Sequence, residues 1–261
     1  MKLNIFHFAL TALLCCSLAS CDKSGDSGNP EIDFGIYAGT GSWDISVAAV
    51  NAAACSSGFS AELFNENDLF KDGLSRYRAV ILPGGNPPEM ASAIGDVGRS
   101  RVKNFVQFGG GLIALGGGAA ICDTMRGANP GIGLFPGQAS WPVDRIAAFP
   151  ELIMTDITRT NSDHDISAGS KPRYWTLYRW GPEFLTNDPS VAILYRYEVT
   201  GSPAAVAFYQ NAGRVFLCGC QLEIEENSRR DGSDFGSEWN DPDSEWDLLE
   251  NAMYYCLTQT F

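Results

Sequence analysis

A chain of 261 residues that is 45% hydrophobic and 19% charged is long enough to bury one sizeable core, and its 28 glycines suit a fold with many tight turns. Its formal charge of −13 would repel phosphate backbones and anionic headgroups, which excludes nucleic acid as an expected partner.

At the amino terminus, Lys2 precedes an apolar run over residues 5–14, and Leu18-Ala19-Ser20-Cys21 follows. This pattern resembles a bacterial lipoprotein signal peptide. The resemblance implies that residues 1–20 are removed and that Cys21 is acylated, holding the protein to a membrane through roughly 0.8 kcal/mol for each buried CH₂. The apolar run is too short to span a bilayer. Loss of residues 1–20 removes Lys2 and no acid, so the remaining chain carries about −14. An ordinary cleaved signal with Cys21 present by chance is the other reading. Residues 21–32, rich in Ser, Gly, Asp and Asn, form a flexible tether, and residues 33–261 are expected to be one exported domain on the cell membrane or outer membrane.

Apolar runs then alternate with helical periodicity. A strand over 34–37 closes in Ala38-Gly39-Thr40-Gly41, and Ser42 caps a helix to about residue 54 whose Val47, Val50 and Ala54 share a face. Strands follow over 59–64 and 78–82, the second ending in Pro83-Gly84-Gly85-Asn86. A helix over 98–108 turns Val102, Phe105 and Val106 to the core, Gly109-Gly110 stops it, and a strand over 112–115 runs into Gly116-Gly117-Gly118. Strands alternating with helices at this spacing predict parallel pairing in a flavodoxin-like three-layer α/β sandwich, with ligands outside the carboxyl ends of the strands.

The second half is less regular. Residues 126–142 read as an extended loop, and strands are predicted over 152–158, 191–197, 204–209 and 214–218, with a hairpin turn at 210–213. These strands are expected to extend one edge of the sheet antiparallel. Asp241-Pro242 opens a final helix, in which Trp246, Leu249, Met253 and Cys256 recur at helical spacing.

Val80-Ile81-Leu82-Pro83-Gly84-Gly85 and the segment from Gly109 to Ala119, with Tyr178-Arg179-Trp180-Gly181-Pro182, Ala204-Ala205-Val206 and the segment from Gly213 to Gly219, resemble the N-terminal domain of long biotin-protein ligases. That family is a branch of the class I glutamine amidotransferase-like fold. In amidotransferase relatives the strand-to-helix elbow carries a Cys and a later His-x-Glu completes the triad. The corresponding residues here are Gly116 and Gln221-Leu222-Glu223. Acyl transfer requires a thiolate attacking a carbonyl beside N–H donors, and neither glycine nor glutamine supplies it. The resemblance therefore implies a non-catalytic domain that binds an unidentified small molecule or an envelope protein. No cofactor and no metal is expected.

The competing reading is an amidase or hydrolase with a relocated thiol, Cys122 or Cys220, served by His164, the single histidine beyond the signal. Asp163 and Asp165 flank His164 and would raise its pKa. Buried thiols and a surface imidazole are the plainer roles for these residues. The expected ligand pocket comprises Gly84, Gly85, Asn86, Gly116, Gly117, Gly118, His164, Gln221 and Glu223, with backbone N–H groups forming a nest for an oxygen ligand. Tight turns alone would also account for the glycines. Trp141, Trp175, Trp180 and Trp239 are candidates to line a sugar or peptide groove, with packing as the alternative.

Overall fold

Phe34 and Ile36 face one side of strand β1 (Ile32–Tyr37) and Tyr37 the other, so both faces of the strand are buried. Ala79 and Ile81 alternate with Val80 and Leu82 in β3 (Tyr77–Leu82), and Ile113 and Leu115 with Leu112 and Ala114 in β4 (Gly111–Leu115). Runs apolar on both faces are what a central parallel sheet requires. In the computed structural model, which describes residues 32–71, 73–123, 130–226, 228–241 and 243–258, these strands are the centre of a nine-stranded sheet. The expected signal peptide, Cys21 and the tether through residue 31 lie outside the described residues. No helix among the described residues is long and apolar enough to cross a membrane.

The sheet order is β2 (Ala61–Phe64), β1, β3, β4, β11 (Gly213–Cys218), β10 (Pro203–Gln210), β9 (Ala192–Tyr197), β6 (Ile153–Arg159) and β7 (Arg173–Tyr178). From β2 to β11 the pairing is parallel. From β11 to β7 every pairing is antiparallel, as expected for added edge strands. Asn211 and Ala212 form the two-residue turn of the β10–β11 hairpin, with Asn211 at φ +55°. A second, two-stranded sheet pairs β5 (Gln138–Ser140) with β8 (Glu183–Leu185), so the segment expected to be loop contains a short strand.

One face of the sheet is covered by α1 (Asp44–Ser56) and α5 (Trp246–Leu257), through Val47, Val50, Leu249 and Met253. The other is covered by α2 (Glu66–Phe70) and α3 (Pro87–Gln107), through Leu69, Met90, Ile94 and Val102. Three helix starts differ from expectation, and one short helix was not expected. Trp43, not Ser42, is the residue before α1, because the Ser42 hydroxyl donates to the Gly39 carbonyl and Ser42 bridges Gly85. α3 begins eleven residues earlier than predicted, since Pro87 and Pro88 occupy the first turn, where the missing N–H has no partner to lose. Gly95, at φ +61°, kinks it. α5 begins at Trp246 rather than at Asp241, which lies buried in the preceding loop, and Pro242 lies outside the described residues. The unpredicted α2 starts with a reciprocal cap between Asn65 and Asp68.

Candidate functional site

Strand order reverses between β1 and β3, so the crevice of this sheet lies where the loops after these two strands meet. Here the loops are tied together. The Trp43 N–H donates to the Gly84 carbonyl at 2.8 Å, the Asn86 N–H to the Gly41 carbonyl at 2.7 Å, and the Gly84 N–H to the Ser46 hydroxyl at 2.8 Å. The N–H groups of Gly84 and Asn86 are therefore already spent and add no donors to an oxygen-binding nest.

Beside that crevice, β4 turns sharply into the short helix α4 (Gly116–Ala120). Gly116 takes φ +48°, a left-handed conformation that side chains other than glycine adopt only under strain. A β-carbon at Gly116 would overlap the side-chain nitrogen of Gln221, and one at Gly84 would lie 2.5 Å from its Oε1. The Gln221 amide is thus wedged between the two glycines, wholly buried, with its Nε2 donating to the Arg179 carbonyl at 2.9 Å. Its Oε1 has no partner among the described residues. Gly117 and Gly118 pack so closely on the carbonyls of Gly85 and Pro83 that neither position has room for a side chain.

Glu223 lies two residues on, also fully buried. The Ser46 hydroxyl donates to its Oε1, Oε2 is unpartnered, and its backbone carbonyl accepts from Trp246 Nε1 at 2.9 Å. Burial pushes its carboxyl up to about 8, against the lowering effect of the Ser46 bond. Gly84, Gly85, Gly116, Gly117, Gly118, Gln221 and Glu223 are therefore linked through direct contacts and the shared Ser46, and Asn86 adjoins them at the start of α3.

His164 does not join them. β6 runs antiparallel to β9, β9 to β10 and β10 to β11, so the loop after β6 emerges at the amino-terminal end of the parallel strands. There His164 packs on Tyr255 with ring centroids 5.1 Å apart, and its Nδ1 accepts from the Ile166 N–H at 3.2 Å. The elbow, after β4, lies at the opposite, carboxyl-terminal end of the parallel strands. The His164 pKa is lowered, not raised: burial outweighs Asp165, and Arg214 adds to the lowering. Cys122 and Cys220 are both fully buried, and burial holds both thiols well above their usual pKa. Neither thiol is a ready nucleophile.

A feature not singled out by the sequence sits at the mouth of the crevice. The guanidinium of Arg179, whose carbonyl holds Gln221, lies between the rings of Trp43 at 3.9 Å and Trp180 at 4.2 Å. Its Nε and Nη1 are buried with no hydrogen-bond partner among the described residues. Burial lowers its pKa. Trp180 takes φ +59°, a strained conformation for so large a residue, and the turn is fixed by the Tyr178 hydroxyl donating to the Gly181 carbonyl at 2.8 Å. Trp180 stacks on half-exposed Phe149, and Phe149 contacts Trp141. Trp239 reaches Trp43 through Phe235, whereas Trp175 stands apart on the edge strand β7. The signal available in the sequence was an arginine between two aromatic residues, Tyr178 and Trp180.

A cleft of about 570 Å³ lined by Gly137, Phe184, Ile193 and Arg196 lies on the antiparallel side, and none of the expected site residues line it.

This arrangement, five parallel strands with a glycine elbow after the fourth and an antiparallel extension, is that of class I glutamine amidotransferase-like folds. Among solved structures, a PurLQS structure from Thermotoga maritima matches with a TM-score of 0.60 at 17% identity, covering 86% of this chain and 99% of that one. A glutamine amidotransferase from the same organism matches with a TM-score of 0.54 at 9% identity, over 87% of this chain and 98% of the other. A putative ThuA-like protein from Bacteroides uniformis matches with a TM-score of 0.55 at 12% identity, over 90% and 95%. Similarity at this level establishes the fold. Neither a family model nor a curated protein matches the chain.

Proposed function

We propose that this chain is an envelope lipoprotein whose amidotransferase-like domain, related to the N-terminal domain of biotin-protein ligases, binds a ligand without catalysing acyl transfer. The observation that carries this reading is the Gln221 side chain filling the space in which a nucleophile on residue 116 would stand. Gly116, Gly117 and Gly118 carry neither sulfur nor imidazole, the Cys122 thiol is buried and donates to the Gly118 carbonyl at 3.6 Å, and His164 packs on Tyr255.

Arg179 supports a ligand with a carboxylate. An arginine held between two indoles, with buried Nε and Nη1 that have no hydrogen-bond partner, presents a fixed, planar set of donors to an anion. The test is a thermal-shift comparison of wild type and Arg179→Met with small carboxylates and peptide acids. Stabilisation of wild type alone supports the reading, and an equal response of both proteins refutes the role of Arg179. Glutamine hydrolysis above background would refute the non-catalytic assignment. For the anchor, labelled palmitate should enter wild type and not Cys21→Ser, and equal incorporation into both would overturn it.

A further inference from the structure

The loop between β11 and α5 holds six buried acids, and beyond Glu223 at the elbow the other five fall into two kinds. Asp231, fully buried, is satisfied: its oxygens accept from the N–H groups of Glu225 and Ser233 and from the Ser233 hydroxyl. Glu225 is satisfied as well, bonded to Arg230 at 2.6 Å and to the Ser244 hydroxyl at 2.6 Å. Glu226, Asp241 and Glu245 are not. They are at most 2% exposed, and a carboxylate oxygen from each lies within 4.8 Å of those of the other two. Both oxygens of Glu226, both of Glu245 and Oδ2 of Asp241 have no partner among the described residues. The remaining Asp241 oxygen accepts from the Asp243 N–H at 2.9 Å, which fixes the carboxylate in the loop.

The two cations nearby are engaged elsewhere. Lys171 bonds Asp243 at 3.3 Å and the Ser244 carbonyl at 3.1 Å, while Arg230 bonds Glu225 and the Ser244 hydroxyl. Three converging carboxylates withdrawn from water without a counter-charge are each strongly destabilising, and a cation among them reverses the sign.

We propose that Glu226, Asp241 and Glu245 bind a hard divalent cation of calcium's size. The donors are all carboxylate oxygens, which selects calcium or magnesium over zinc or copper. The ligands come from an irregular loop and from the residue preceding α5, a setting that tolerates the variable geometry of calcium better than the strict octahedron of magnesium. Burial raises the proton affinity of all three carboxyls, outweighing the lowering effect of Lys171 on Asp241 and Glu245. A bound cation would join the segment after β11 to the start of α5 and close the acidic loop between them. This site is independent of ligand binding at Arg179.

The test uses the full chain in detergent, stripped with EGTA. Calcium at about a hundred times its Kd should raise Tm by roughly 5–10 °C, with a smaller rise from magnesium at the same concentration. Terbium should bind in place of calcium, with its emission excited through Trp246 beside Glu245. The double variant Glu226→Gln with Glu245→Gln should be more stable than wild type in EGTA and indifferent to calcium. If that variant does not fold, Asp241→Asn decides by terbium titration, with at least a tenfold weaker affinity expected. No change in wild-type Tm and no calorimetric heat at millimolar calcium would overturn the site, as would a variant that keeps the wild-type response. An equal response to magnesium would overturn the assignment by size.

Discussion

Gly116 and Gln221 should behave as one packing unit, and a double-mutant cycle measures it. Gly116→Ala places a methyl group at φ +48°, costing about 1 kcal/mol in backbone strain. The same methyl overlaps Gln221 Nε2, adding about 1–3 kcal/mol of overpacking. A total of about 2–4 kcal/mol lowers Tm by roughly 5–12 °C in a domain of this size. Gln221→Ala loses the bond to the Arg179 carbonyl, about 1 kcal/mol, and leaves a void, while removing an unpartnered Oε1, so its net cost is about 2 kcal/mol. In the double variant the strain and the lost bond persist but the overlap disappears. Its ΔΔG from urea unfolding should therefore fall short of the sum of the single values by about 1–3 kcal/mol. Additivity to within about 0.5 kcal/mol would mean that Gln221 does not fill the space above Gly116, and the basis for a blocked elbow would be lost.

Two further outcomes are expected. Iodoacetamide should modify Cys122, Cys218, Cys220 and Cys256 only as fast as the native protein opens, because all four are buried, with rapid labelling in denaturant; rapid reaction of Cys122 or Cys220 in the native state near neutral pH would restore the hydrolase reading. Glu223 has a folded pKa of about 8 against an ordinary value of 4.5, so its contribution to stability is complete below about 4.5 and is lost as pH rises through about 8. With calcium chelated, Glu223→Gln keeps an acceptor for Ser46 and should flatten the decline in unfolding free energy between about pH 5 and pH 8 by a few kcal/mol, and an unchanged slope would show that Glu223 is ionised in the fold.

The parallel half was legible because its strands are buried on both faces. Their apolar runs end at glycine-rich turns that a sequence displays directly, as at Gly84-Gly85 and Gly116 to Gly118. β7 was not legible: as an edge strand it exposes Arg173 and Trp175 and buries Tyr174 and Thr176, so it lacks an apolar run. The start of α3 was hidden because paired prolines at 87 and 88 signal a turn as strongly as a first helical turn. At the site, the absence of a thiol and an imidazole at these positions could be read from Gly116 and Gln221, whereas the insertion of Gln221 depends on β11 lying beside β4, a non-local pairing. His164 was misplaced for a related reason. Which end of the sheet its loop occupies follows from the direction of β6, which alternation of residue types does not encode.

The wedge at the elbow also restricts the order in which this domain can change. A cysteine appearing first at position 116 would collide with the amide already there, and a smaller residue appearing first at 221 would leave a hole and a stranded carbonyl on Arg179. Each single change therefore carries a penalty that its partner would relieve, the overlap in one case and the hole in the other. The two positions are thus coupled, and a change at either is easier to accommodate once the other has changed.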